Sequence, residues 1–198
     1  MMLKIAHAAG STLVRFRKNV SGLAAVEFAF IVPVMLTLVF GTIEVASVVA
    51  IDRKATLVSR TLSDLVSRGA NVTNADIKNF FGLGTSIMSP YPVTPTGMSQ
   101  RITAVSIDAS KVAKVAWSFA GTATGNSVTV STGYTVGSTI TTIPPALLVA
   151  NTQLIWSEST YTYKPVLGYL LKSNWPVSDE TFTRPRQSLC VMLNSTPC

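Results

Sequence analysis

From Leu23 to Ile51 the chain is almost wholly apolar: LAAVEFAFIVPVMLTLVFGTIEVASVVAI carries only two charged residues, Glu27 and Glu44. As an α-helix at 1.5 Å per residue this run is about 43 Å long. That exceeds a hydrocarbon core of about 30 Å, so a transmembrane helix over 23–51 must tilt or leave one end in the interface. The run is also too long for the apolar segment of a cleaved secretory signal. Glu44, Ser47 and Asp52 mark the C-terminal end as the emerging one. Pro33 removes one helix hydrogen bond and predicts a bend. Gly41 is a second soft point, or a place where another helix packs closely.

The charge is distributed to match. Net charge is +7. Residues 1–22 hold Lys4, Arg15, Arg17 and Lys18 and no acid, so +7 less +4 leaves +3 for everything after Gly22. Basic residues beside a membrane helix hold that end in the cytoplasm. The expected topology is therefore N-terminus inside and Asp52 onward outside, although Arg53 and Lys54 on the far side oppose it. The remaining +3 forms no dense basic stripe, which argues against a nucleic-acid partner. The implied partner of the helix is the lipid bilayer.

Glu27 is the anomaly, because a carboxylate among Val26, Phe28 and Phe30 is costly at bilayer depth. One reading places it at the headgroup level, solvated. The other gives it a partner. A cut after Gly22 leaves a new amine on Leu23, with Glu27 four residues on, at the spacing of helix-face neighbours. The same carboxylate can reach the amine of an adjacent subunit and neutralise both charges.

A basic leader, Gly22, four small or apolar residues, Glu27, Phe28 and an apolar helix with an early Pro33 resemble the type IV prepilin processing site. The fuller string Gly22-Leu23-Ala24-Ala25-Val26-Glu27-Phe28-Ala29-Phe30-Ile31-Val32-Pro33 resembles the TadE-like family of the Flp/Tad (tight adherence) pilus system. Tyr161-Thr162-Tyr163-Lys164-Pro165 and Arg184-Pro185-Arg186 extend the likeness more weakly. The Thr/Ser/Gly insertion after Trp117 and the terminal cysteines depart from it. The resemblance implies a pseudopilin of the bacterial inner membrane with a periplasmic domain, with a role in pilus assembly and adhesion. It implies Gly22, Leu23, Glu27 and Phe28 as the processing site. Its implied partners are a prepilin peptidase and other pilin, pseudopilin and Tad assembly subunits, met through the N-terminal helix. Two alternatives stand beside this: an uncleaved single-pass anchor of the Tad machinery, and a tethered envelope domain that binds a small ligand.

Beyond the membrane the pattern is helical first. Val58, Leu62, Leu65 and Val66 share one face, Arg60, Asp64 and Arg68 another, and Gly69 is the expected stop. Thr73 and Asp76 have capping-box spacing, with Val72 placed to pack on Ile77, so a helix starts at Thr73 and ends before Pro90. From Arg101 the period becomes two. Ala113, Val115, Trp117 and Phe119 alternate with polar or small residues, and Ile102–Asp108 is the expected partner strand. Gly121–Gly137 reads as loop with one weak strand at Val128–Val130. Leu154–Tyr163 reads as a strand. The expected fold class is α+β: a long N-terminal transmembrane and stalk helix, then a small extracytoplasmic domain with an antiparallel sheet. The boundaries are 1–22 leader, 23–51 transmembrane helix, 52–69 helical stalk, and 70–198 domain.

Catalytic chemistry has little to work with. The single histidine, His7, lies in the leader, which removes histidine triads and most zinc sites from the rest of the chain. Gly82-Leu83-Gly84 lacks a third glycine and a preceding strand. Asp179-Glu180 reads as a solvated turn, and Arg184-Pro185-Arg186 as an exposed basic turn. Trp117, Trp156, Tyr161 and Tyr163 fit core and rim better than a binding face. No catalytic residue, cofactor or metal site is expected. Cys190 and Cys198 are the only cysteines. In an oxidising compartment they are a candidate disulfide; otherwise they are two thiols in a frayed tail.

Overall fold

A computed structural model describes residues 22–125, 127–165 and 173–196. The basic leader and Cys198 lie outside the described residues. The first element, α1, is a helix over Leu23–Ser67. The chain divides into two units, Met1–Ile43 and Glu44–Cys198.

Within the first unit the described residues are helical from Leu23, and their large side chains are exposed on every side of the helix. Phe28 is 69% exposed, Phe30 75% and Leu38 65%. An apolar surface that runs all round a helix has no polar face to offer water. The hydroxyls in this stretch bond inward. Thr37 Oγ1 donates to the Pro33 carbonyl at 2.7 Å and Thr42 Oγ1 to the Leu38 carbonyl at 2.8 Å. Each threonine thereby satisfies its own donor without needing solvent.

The second unit opens with the rest of α1, whose periodicity changes from apolar all round to one buried stripe. Ile51, Ala55, Val58, Leu62 and Val66 are all at most 1% exposed. The segment expected as a helical stalk also supplies the core helix of the domain. The helix ends at Ser67, and the Gly69 amide turns back to the Val66 carbonyl at 3.2 Å.

Next come β1 (Asn71–Val72) and α2 (Asn74–Ile87). Thr73 caps α2 in a full capping box: its side chain accepts from the Asp76 amide, and the Asp76 carboxylate accepts from the Thr73 amide at 2.9 Å. Val72 and Ile77 are both buried in the same core, as the staple spacing requires.

The sheet follows: β2 (Met98–Ile107), β3 (Ala113–Thr124), β4 (Ser127–Thr132), β5 (Thr152–Tyr163) and β6 (Trp175–Thr183), in the order β4-β3-β2-β5-β6, antiparallel throughout. A short 3₁₀ turn, Pro145–Leu147, precedes β5. A last strand, β7 (Met192–Leu193), pairs in parallel with β1 and ties the C-terminal segment to the start of α2. The α+β class, with its long N-terminal apolar helix and antiparallel sheet, is what the structure has.

One face of the sheet receives α1 and α2. Ile102, Ala104, Trp117, Ile155, Tyr161, Tyr163 and Val177 share a core with the two helices. The other face is covered by the long connection between β4 and β5. Val105, Ile107, Ala113, Leu154 and Trp156 pack there with Ile143, and Tyr134, Ile140, Leu147 and Leu148 lie against them.

Four sequence expectations are corrected. Strict alternation would place Ala113, Val115, Trp117 and Phe119 on one face. A β-bulge intervenes: Val115 pairs with Val105 but Trp117 with Ala104, so Ala116 is the extra residue. One extra residue reverses the side-chain faces beyond it, which sends Trp117 and Phe119 to the helix side while Ala113 stays on the other. Gly121–Thr124, expected as loop, continues β3, and β4 pairs with it from Ser127. Asp179 and Glu180 are not in a turn but inside β6, opposite Ser159 and Glu158. Finally, the Arg184-Pro185-Arg186 segment is no free turn. The Arg186 amide donates to the Ser67 carbonyl at 2.9 Å, and its guanidinium meets Asp64 at 2.6 Å.

Candidate functional site

The residues singled out for processing sit together at the start of α1. Gly22 is exposed and immediately precedes the first helical residue, Leu23, which is 60% exposed. Glu27 lies one turn in, on the face that also carries Leu23, and is exposed. A rise of about 6 Å separates the two along the axis. Phe28, the next residue, is exposed as well. The arrangement offers a peptide bond just outside a helix and one carboxylate a turn beyond it, amid exposed apolar side chains. The first turn of α1 itself carries no acid.

Pro33 and Gly41 both lie within α1, and the helix runs unbroken through them. Pro33 is exposed and Gly41 buried. Glu44 differs from its neighbours: it is 2% exposed while Ile43 and Val45 are more than half exposed. Sequence reading took Glu44 as a sign of emergence into water, whereas it is the buried first residue of the domain unit.

The aromatic residues do not form one face. Trp117, Tyr161 and Tyr163 are on the helix side of the sheet and Trp156 on the other. The Trp117 indole donates to the Val191 carbonyl at 3.1 Å, and the Tyr161 hydroxyl to the Pro92 carbonyl at 2.9 Å. Burial pushes the Tyr161 phenol above its ordinary range, with Tyr91 and Tyr163 adding to the shift. Trp156 stacks between Tyr134 and Phe182 at centroid distances of 5.4 and 5.7 Å. Arg101 lies over the Tyr134 ring at 4.3 Å and pairs with Glu158 at 3.1 Å. Burial first, then the Glu158 charge, raise the Tyr134 phenol. These are packed and partnered groups that support the sheet.

Gly82 and Gly84 lie inside α2. A Cβ on Gly84 would stand 2.0 Å from Gln100 Oε1, so this glycine serves the seating of α2 on β2. No group of three or more metal-ligating side chains occurs among the described residues. Cys190 is disulfide-bonded; Cys198 lies outside the described residues.

α1 is long and apolar enough to cross a membrane by length and composition; its most apolar window has a mean hydropathy of 2.4 and none of it is buried. No curated protein and no solved structure matches the chain. A family model does, and it begins at the residue where the helix begins to be set up. Residues 22–64, which comprise Gly22 and all of α1 but its last three residues, match the model of TadE-like proteins.

Proposed function

We propose that this protein is a membrane-anchored pseudopilin of the Tad pilus system. The TadE-like match and the candidate single-pass helix support a membrane protein of that system. The finer reading rests on one observation. An exposed Gly22 abuts a helix that is apolar on all sides, with Glu27 the only charged group in its first twenty residues.

In this reading a prepilin peptidase cuts between Gly22 and Leu23. The new amine on Leu23 would be an uncompensated charge at the edge of a low-dielectric phase, and Glu27 of the same or a neighbouring chain neutralises it. The helix holds the chain in the inner membrane with its N-terminus in the cytoplasm. The domain from Glu44 onward lies in the periplasm and meets other assembly subunits. Its part is structural and not catalytic.

The mass of the chain isolated from its native envelope tests this. The expected product begins at Leu23 and is found in sheared filaments. A chain with Met1 intact, in cells that hold the peptidase, would remove the processing claim. A processed chain absent from every filament preparation would remove the pseudopilin role and leave a membrane anchor.

A further inference from the structure

Three arginines line a groove of about 560 Å³ between the second half of α1 and β6. Asp64 is the one acid among them. Its Oδ2 takes Arg68 Nη2 at 2.6 Å and its Oδ1 takes Arg186 Nη2 at 2.6 Å. Both carboxylate oxygens are therefore engaged. Arg60, one turn earlier on the same helix face, is exposed and has no ion pair among the described residues.

The groove thus sets three guanidiniums against one carboxylate. Asp64 holds two of the forks in place, and a guanidinium has five N–H donors, so most of those on Arg68 and Arg186 remain for another acceptor. Their side chains are 64% and 57% exposed. The Arg186 backbone is pinned to the end of α1 through the Ser67 carbonyl. The fork positions are fixed before anything binds, which lowers the ordering cost of binding.

The other wall is an open strand. Among the described residues β6 is the outermost strand of the sheet and pairs only with β5. Its outer backbone groups are a template for one further extended segment. Eight residues of helix separate Arg60 from Arg68, a rise of about 12 Å. About four residues of extended chain cover that distance, with alternate side chains on the arginine side. Asp179 of β6 does not line the groove; its carboxylate accepts from Ser59 Oγ at 2.8 Å.

We propose that this groove docks an acidic, extended segment of a partner protein, which adds to the free edge of β6 and sets its carboxylates against Arg60, Arg68 and Arg186. Every residue involved lies in the domain unit, so the proposal stands whether or not the leader is cleaved.

The test uses the full chain in nanodiscs of neutral lipid and a labelled peptide of about eight alternating Glu and Thr residues, long enough to span the groove. Binding should saturate, weaken with salt, and be absent for the matching Lys-Thr peptide. Arg60→Glu, at a position free of structural ion pairs, should weaken it about tenfold, and Arg60→Lys much less. Amide exchange in Ser178–Thr183 should slow when the peptide is bound. Equal binding of both peptides, or indifference to Arg60→Glu, overturns the proposal. So does Arg60-dependent binding to phosphatidylglycerol vesicles, or Arg60-dependent self-association, without peptide binding: the groove would then belong to a lipid surface or to a second copy.

Discussion

A single charge at the start of an apolar helix is the sharpest residue-level claim. Glu27→Gln keeps the shape and loses the charge. If the carboxylate serves to neutralise the new amine, the leader is removed normally, because the cut precedes that encounter. Incorporation then fails. Intact-mass measurement on the membrane fraction should show a chain from Leu23, and sheared filaments should lack it; normal filaments from the mutant would dissociate Glu27 from the amine. At the opposite end of the scale of consequence is the α2 cap. Thr73→Ala removes the hydroxyl that accepts from the Asp76 amide and should cost about 1 kcal/mol, read as a lower urea midpoint. Hydrogen bonds from the Thr73 amide and hydroxyl hold the Asp76 carboxyl below its ordinary value of 3.8. The sign follows from linkage: a depressed folded pKa contributes stability that is full above the unfolded value and is lost as pH falls through the folded one. Wild type should therefore lose stability below pH 3.8 more steeply than Asp76→Asn, which a series of melts in acid buffers would record.

At the scale of elements the decisive contact is the seam between α1 and the β5–β6 pair. Ala55, Ser59, Ser63 and Ser67 recur every four residues along α1, and small side chains let the helix approach the sheet. The sheet answers with hydroxyls. Ser159 Oγ donates to the Ala55 carbonyl at 2.8 Å, Ser157 Oγ to the Ser59 carbonyl, and Ser63 Oγ meets Thr183 Oγ1 at 2.6 Å. Buried hydroxyls of this kind are tolerable because each has a partner. Ser63 is fully buried, so Ser63→Leu overfills the seam and removes the shorter of the two hydrogen bonds at Thr183 Oγ1, which keeps the Ser63 carbonyl at 3.3 Å. A loss of about 2–3 kcal/mol is expected, measurable by chemical denaturation. Gly121→Ala tests the other helix: its Cβ would stand 2.6 Å from the Phe81 ring, which α2 lays against β3. The same elements show what could be read in advance. The Val58, Leu62, Val66 stripe and the Thr73–Asp76 cap are local patterns, and they stand where the spacing placed them. β6 was missed because its apolar residues are sparse and its acids look like a solvated turn; pairing with β5, the strand before it in the chain, and not its composition, makes it a strand. The bulge at Ala116 was invisible for a related reason. Alternation assumes a regular ladder, and only pairing with β2 reveals the extra residue. The Gly121–Thr124 end of β3 reads as loop because its Gly, Ala and Thr residues carry no apolar alternation, and only pairing with β4 makes it strand. For the proposed processing segment the opposite holds: Gly22, Glu27 and Pro33 are defined by spacing along the chain, so the proposal rests almost wholly on sequence.

For the whole molecule the question is what each unit requires of its surroundings. The described part of the first unit has no core: Leu23, Val26, Phe28, Phe30, Ile31, Val34, Met35, Leu38 and Val39 are all at least half exposed. Leaving so many large apolar side chains in water costs on the order of 10 kcal/mol, comparable with the entire net stability of an ordinary domain. The second unit is different. It holds two buried clusters, one on each face of its sheet, and the buried stripe of α1 belongs to it. If lipid is what covers the first unit, removal of that unit removes the need for lipid. A chain that begins at Glu44 should then remain soluble without detergent and unfold in one cooperative transition. The full chain should partition into the detergent phase and aggregate when detergent is withdrawn. Sedimentation and phase partition of the two chains distinguish the cases directly. A full-length chain that stays monomeric in plain buffer would mean that the apolar surface is covered by the protein itself, and the membrane helix, the cut beside it and the role of Glu27 would all have to be given up together.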